Sequence, residues 1–198
     1  MSDAFQTISK PTESLFKDRG SKFLGYAFPV NSVDDVKKNL TTLQELHPSA
    51  RHFCYAYLLG ADASEYRAND DGEPNGSAGL PILNQIKSKE VTYILVVVVR
   101  YFGGTKLGVS GLVNAYKEAA KLALEGARII TKVPSSRITI RFPHSATGEV
   151  ERIIRQNNYV IQTQDFGMDC LWTVEFATSE KSLVTEQFQS LADLEIVS

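Results

Sequence analysis

The chain has 198 residues, 43% hydrophobic and 22% charged, a composition near the average of soluble globular domains that excludes a disordered or fibrous protein. With 21 Lys and Arg against 23 Asp and Glu, its formal net charge of −2 argues against gripping nucleic acid by bulk charge and confines any electrostatic site to a local patch. The longest apolar run is far shorter than a bilayer span and the start, MSDAFQTISKPTESLF, lacks the basic and apolar regions of a signal peptide, so the reading is cytoplasmic, with no membrane partner.

In chain order, Thr12 to Lys17 and Lys22 to Val30 flank the turn composition Asp18-Arg19-Gly20-Ser21 and predict a β-hairpin. Ser32 then caps a helix with Val33, Val36, Leu40 and Leu43 at helical spacing and His47-Pro48 as its stop. Arg51 to Leu59 reads as a strand with Phe53, Tyr55 and Tyr57 on one face and His52, Cys54 and Ala56 on the other, and Tyr66-Arg67 as a short return. Asn69 to Leu83, NDDGEPNGSAGLPIL, carries Asp70, Asp71 and Glu73 among glycines and prolines, so it starts as a loop and opens a helix near Ser77 with Pro81 in its first turn.

The stretch YILVVVVRYFGGTKLGVSGLVNAYKEAAKLA, from Tyr93 to Ala123, organises the rest. Its β-branched run Ile94 to Val99 predicts a strand buried on both faces and ending on Arg100. A loop with Gly103, Gly104, Gly108 and Gly111 around Lys106 follows, and Ser110 is the expected N-cap of a helix burying Leu112, Tyr116, Ala119, Ala120 and Ala123. Strand, glycine loop and helix start together make an anion site: free N–H groups, a favourable dipole and nearby cations. Beyond Gly126, Thr131 to Ser136 carries Pro134 and predicts a linker, so the expected domains are 1–130 and 137–198, joined by 131–136. The remainder alternates as βαββαβ, the ferredoxin-like pattern. Cys54 and Cys170 lie in strand-like segments without CxxC spacing and read as reduced core thiols, and no metal or cofactor is expected.

Three stretches, RHFCYAY at Arg51 to Tyr57, NDDGEPNGSAGLPIL, and RYFGGTKLGVSGLVNAY at Arg100 to Tyr116, together resemble the IMPACT/YigZ family in order and spacing. The resemblance covers roughly residues 12 to 128, and the tail resembles the small C-terminal domain of bacterial members. It implies an α+β chain: a first domain like the second domain of ribosomal protein S5, and a ferredoxin-like second domain like those of elongation factor G. It also implies a link to translation, since eukaryotic relatives bind a regulator of the amino-acid starvation kinase pathway, and it supplies no catalytic residue.

The sequence-level assignment is therefore a non-enzymatic binding protein of translation or RNA. Arg100 and Lys106 attract phosphate, and Gly103, Gly104, Gly108 and Gly111 let the backbone approach it. Asp70, Asp71 and Glu73 fix their loop, Glu73 pairing with Arg100 or Arg51, while His52 is a hydrogen-bonded structural residue and Tyr101 and Phe102 are stacking candidates. Two other readings stay open: an enzyme on a phosphorylated ligand, with Asp70, Asp71 and Glu73 as metal ligands or base, and a purely protein-binding regulator.

Overall fold

The computed structural model describes residues 4–197. Contacts divide the chain into two units, one spanning Ala4–Lys132 and one starting at Val133. The first holds β1 (Phe5–Ile8), β2 (Thr12–Asp18), β3 (Ser21–Pro29), α1 (Val33–Leu46), β4 (His52–Leu59), β5 (Glu65–Asn69), α2 (Gly79–Ser88), β6 (Ile94–Tyr101), α3 (Gly108–Glu125) and β7 (Ile129–Lys132). The second holds β8 (Ser135–Phe142), α4 (Thr147–Asn157), β9 (Val160–Phe166), β10 (Cys170–Ala177), α5 (Lys181–Gln189) and β11 (Glu195–Ile196). The fold is α+β, and no helix among the described residues is long and apolar enough to cross a membrane.

In the first unit five strands form an antiparallel sheet in the order β2-β3-β6-β4-β5. The apolar run expected at Ile94–Val99 is its centre, and the pleat sends its side chains alternately to two cores. Val96 and Val98 join Phe23, Ala27, Cys54 and Ala56 beneath α2 and α3, while Leu95, Val97 and Val99 join Tyr26, Phe53 and Tyr57 beneath α1. The β2–β3 turn has Arg19 at φ 43° and Gly20 at φ 80°, the left-handed pair of a tight two-residue hairpin loop, and it fixes the register that sets Lys17 opposite Lys22. Helix α1 is capped as expected: Ser32 Oγ accepts from Asp35 N at 3.2 Å.

The second unit pairs its strands in the order β11-β8-β10-β9, all antiparallel, around a core of Trp172, Phe142, Ile140 and Phe188 with α4 and α5. Two local expectations change. Helix α3 begins at Gly108, so Ser110 lies within its first turn and caps nothing. Of the residues Thr131 to Ser136, only Val133 and Pro134 lie outside strands, because Thr131 and Lys132 pair with Gln6 and Phe5 in a small β1–β7 sheet that the sequence pattern did not suggest. Gly126 ends α3, as a helix-stop glycine should, at φ −73°, so its role there is not its freedom of φ.

Candidate functional site

The register places the site at one end of the large sheet. Phe23, Arg100 and His52 sit side by side on β3, β6 and β4, on the face covered by α2 and α3. Arg100 is the charge on which the buried strand ends, and its side chain is only 8% exposed. Glu73, 4% exposed, comes down from the acidic loop to meet it: Arg100 Nη1 donates to Glu73 Oε1 at 2.6 Å, and the buried Tyr116 hydroxyl donates to the same oxygen at 2.7 Å. Burial, with Cys54 and Glu73 nearby, pushes the Tyr116 phenol up, so it stays a protonated donor. The guanidinium also lies 5.5 Å from the Phe23 ring centre and 5.6 Å from that of Phe102, while its Nε has no partner.

The other acids are spent on the loop. Asp70 Oδ1 accepts from Ala78 N at 3.0 Å and Gly79 N at 2.8 Å, and Oδ2 accepts from Gly76 N at 2.8 Å, so this carboxylate caps the start of α2. Burial alone raises the Asp70 carboxyl, but the amides of Gly76, Gly79 and Ala78 together outweigh it and hold it below its ordinary value. Asp71 Oδ2 accepts from Phe53 N at 2.6 Å, tying the loop to β4, and Asp71 N donates to Asn69 Oδ1 at 2.7 Å. His52 Nδ1 donates to the Asp71 carbonyl at 2.9 Å and the Cys54 thiol to that of Asp70 at 2.9 Å. Burial pushes the Cys54 thiol up, so Cys54 and His52 hold the loop from two adjacent carbonyls and form no thiol–imidazole pair.

Above this base lies a cleft of about 480 Å³ lined by Arg51, His52, Arg100, Phe102, Lys106 and Val109 among others. Phe102 is 59% exposed and Val109 58%, so the walls are apolar while Arg51 and Lys106 bring two cations, neither of which has an anionic partner among the described residues. The start of α3 opens here. Its N-cap, Leu107, supplies no side-chain cap, and among the described residues none supplies an acceptor to the amides of Gly104, Thr105, Lys106, Gly108, Val109 or Ser110. Helix α2 draws its cap from Asp70, whereas the longer α3 has none.

The glycines divide by role. A Cβ on Gly103 falls 1.9 Å from the Gly20 carbonyl carbon, so Gly103 is there for the contact between loop and hairpin. Gly104 and Gly108 have φ of 90° and 72° with open space at the Cβ position, so they bend the backbone rather than admit a neighbour. Of the four, Gly108 alone lines the cleft, and Gly111 packs on Leu107. Glu73 takes Arg100 of the two arginines expected for it, so Arg100 is neutralised and does not act as the phosphate-attracting cation, and Tyr101 points to the opposite face, where its hydroxyl meets His47 Nδ1 at 3.0 Å. That imidazole also holds the Tyr26 hydroxyl, at 2.8 Å from Nε2, a role the His47-Pro48 helix stop did not advertise. Arg51, the alternative partner expected for Glu73, instead lines the cleft with Lys106, and neither has an anionic partner among the described residues.

Residues 19–124 match the family model of the Impact N-terminal domain, more than half of the chain. The chain belongs to the IMPACT family. IMPACT family member YigZ of Escherichia coli (strain K12) is 33% identical over 185 residues, covering 92% of this chain and 89% of that protein. IMPACT family member YvyE of Bacillus subtilis (strain 168) is 27% identical over 188 residues, covering 95% and 85%. The crystal structure of a hypothetical protein, 29% identical, superimposes with a TM-score of 0.74 over 100% of this chain and 98% of its own, so the architecture recurs through both units.

Proposed function

We propose that this IMPACT family member is a non-enzymatic RNA-binding protein of the translation apparatus, and that the cleft at the start of α3 holds an unpaired RNA strand. The observation that carries this reading is the uncapped start of an 18-residue helix opening into a cleft between two unpaired cations. Free amides and the helix dipole favour a phosphate, Arg51 and Lys106 add charge, and the exposed Phe102 ring offers a face to a base. The tie to translation comes from the family resemblance. The domains expected at 1–130 and 137–198 enter as a proposal in which the first carries the site and the second is an accessory module.

A metal-dependent enzyme has less support. Both oxygens of Asp70 are committed to amides, Asp71 to Phe53, and Glu73 to Arg100 and Tyr116, which leaves the acidic loop a scaffold. A regulator that binds only proteins competes on equal chemical terms for Phe102 and Val109, and its partner's carboxylates can take the free amides as a phosphate would, so binding of RNA itself decides between the two. An amide-resolved NMR titration with a short oligouridylate decides: the Gly104 to Ser110 amides shift together as phosphate arrives. Unmoved amides with saturable binding elsewhere contradict the site, and no binding of any RNA contradicts the function.

A further inference from the structure

The far side of the same sheet end carries features that the cleft does not use. The hairpin register sets Lys17 directly opposite Lys22, and Lys22 directly opposite Tyr101, so the three form a row across β2, β3 and β6 on the face covered by α1. Like charges in such direct cross-strand pairs are destabilising, and neither lysine has an anionic partner among the described residues. Arg19 is exposed in the same hairpin tip, with Asp18 as its one acid, which leaves the tip positive.

Beside this row is a second pocket, of about 490 Å³, lined by Leu15, Leu24, Lys22, His47, Tyr101 and Phe102. Its floor is apolar where Leu15 pairs with Leu24. Its rim is fixed because Tyr101 is held by His47, whose other nitrogen meets Tyr26. Phe102, at the strand end, lines both pockets.

We infer that the bound RNA strand continues from the α3 cleft over Phe102 into this second pocket, where the next nucleotide lays its base against Tyr101, Leu15 and Leu24 and its phosphate against Lys17 and Lys22. The inference rests on the RNA reading of the first cleft and extends it from one nucleotide to a run that wraps the sheet end. Each pocket has a volume in the range that takes one drug-sized ligand. A duplex cannot make the turn, because paired bases are not free to face two sides of one sheet, so the site selects unpaired strands.

The test compares the full chain with Lys17→Ala/Lys22→Ala for binding of uridylates of one, two, four and eight nucleotides, over a salt series. Native protein gains affinity beyond one nucleotide, and the variant loses about tenfold of that gain, keeps its affinity for the mononucleotide and has a log–log salt slope about 0.7 shallower on the longer strands, as expected for one phosphate no longer neutralised. Its thermal midpoint does not fall, since removal of two facing like charges relieves repulsion. Equal affinity and slope for native and variant on all lengths overturns the second pocket while leaving the first cleft standing. Native protein that binds no uridylate of any length overturns the RNA reading and this inference together.

Discussion

Arg100 follows the run Ile94–Val99, whose side chains are buried in two apolar cores, and Glu73 with Tyr116 makes that charge tolerable. Removal of one partner of a buried pair leaves the other uncompensated, so Glu73→Ala costs about 3–5 kcal/mol of unfolding free energy in urea. Lys106→Ala, on an exposed loop, changes stability by no more than about 0.5 kcal/mol. Asp70 carries a pH dependence of definite sign. Its folded carboxyl is held below the unfolded value, so the stabilisation is complete above that value and is lost as pH falls through the lower folded one. Asp70→Asn therefore narrows its deficit against the native protein as pH falls below about 4, and urea midpoints from pH 7 to pH 3 measure it. A deficit constant with pH contradicts the capping role.

At the scale of elements, what was legible in the sequence depended on whether a local rule reached far enough. The central strand, the Ser32 cap, the hairpin turn and the inward stripe of α3 follow from spacing that neighbours reinforce. The start of α3 did not, because Ser110 is a good cap by chemistry, whereas Gly108, two residues earlier, bends the chain into the helix. Strands β1 and β7 stayed hidden because each is four residues long and has meaning only beside the other. The lysine row was available from the two-residue loop, which dictates that Lys17 faces Lys22, but its place beside Tyr101 needs the pairing of β3 with β6. Tyr101 and Arg100 are neighbours in sequence and so lie on opposite faces, which is why a motif read as one cluster divides between two pockets. The loop–hairpin contact gives an element-scale prediction. Gly103→Ala forces the backbone of Gly20 aside and costs about 1–3 kcal/mol by urea unfolding. A neutral result contradicts the contact.

For the whole molecule, a net charge of −2 and a local group of unpaired cations at one sheet end describe a protein that attracts phosphate at one place without gripping nucleic acid everywhere. Both small strands fall within the first unit, so residues 1–132 carry every residue proposed for either pocket. That fragment binds RNA within about twofold of the full chain, checked by calorimetric titration; a larger loss assigns part of the site to the second unit. The most direct test of the central claim is the salt dependence of binding to an eight-nucleotide single strand, read by fluorescence anisotropy for the native chain and for Arg51→Ala/Lys106→Ala. Affinity falls steeply with salt in the native protein, and the variant's slope is shallower by about 0.7, because one fewer phosphate is neutralised. Binding with equal slopes in the two proteins contradicts phosphate recognition at the start of α3.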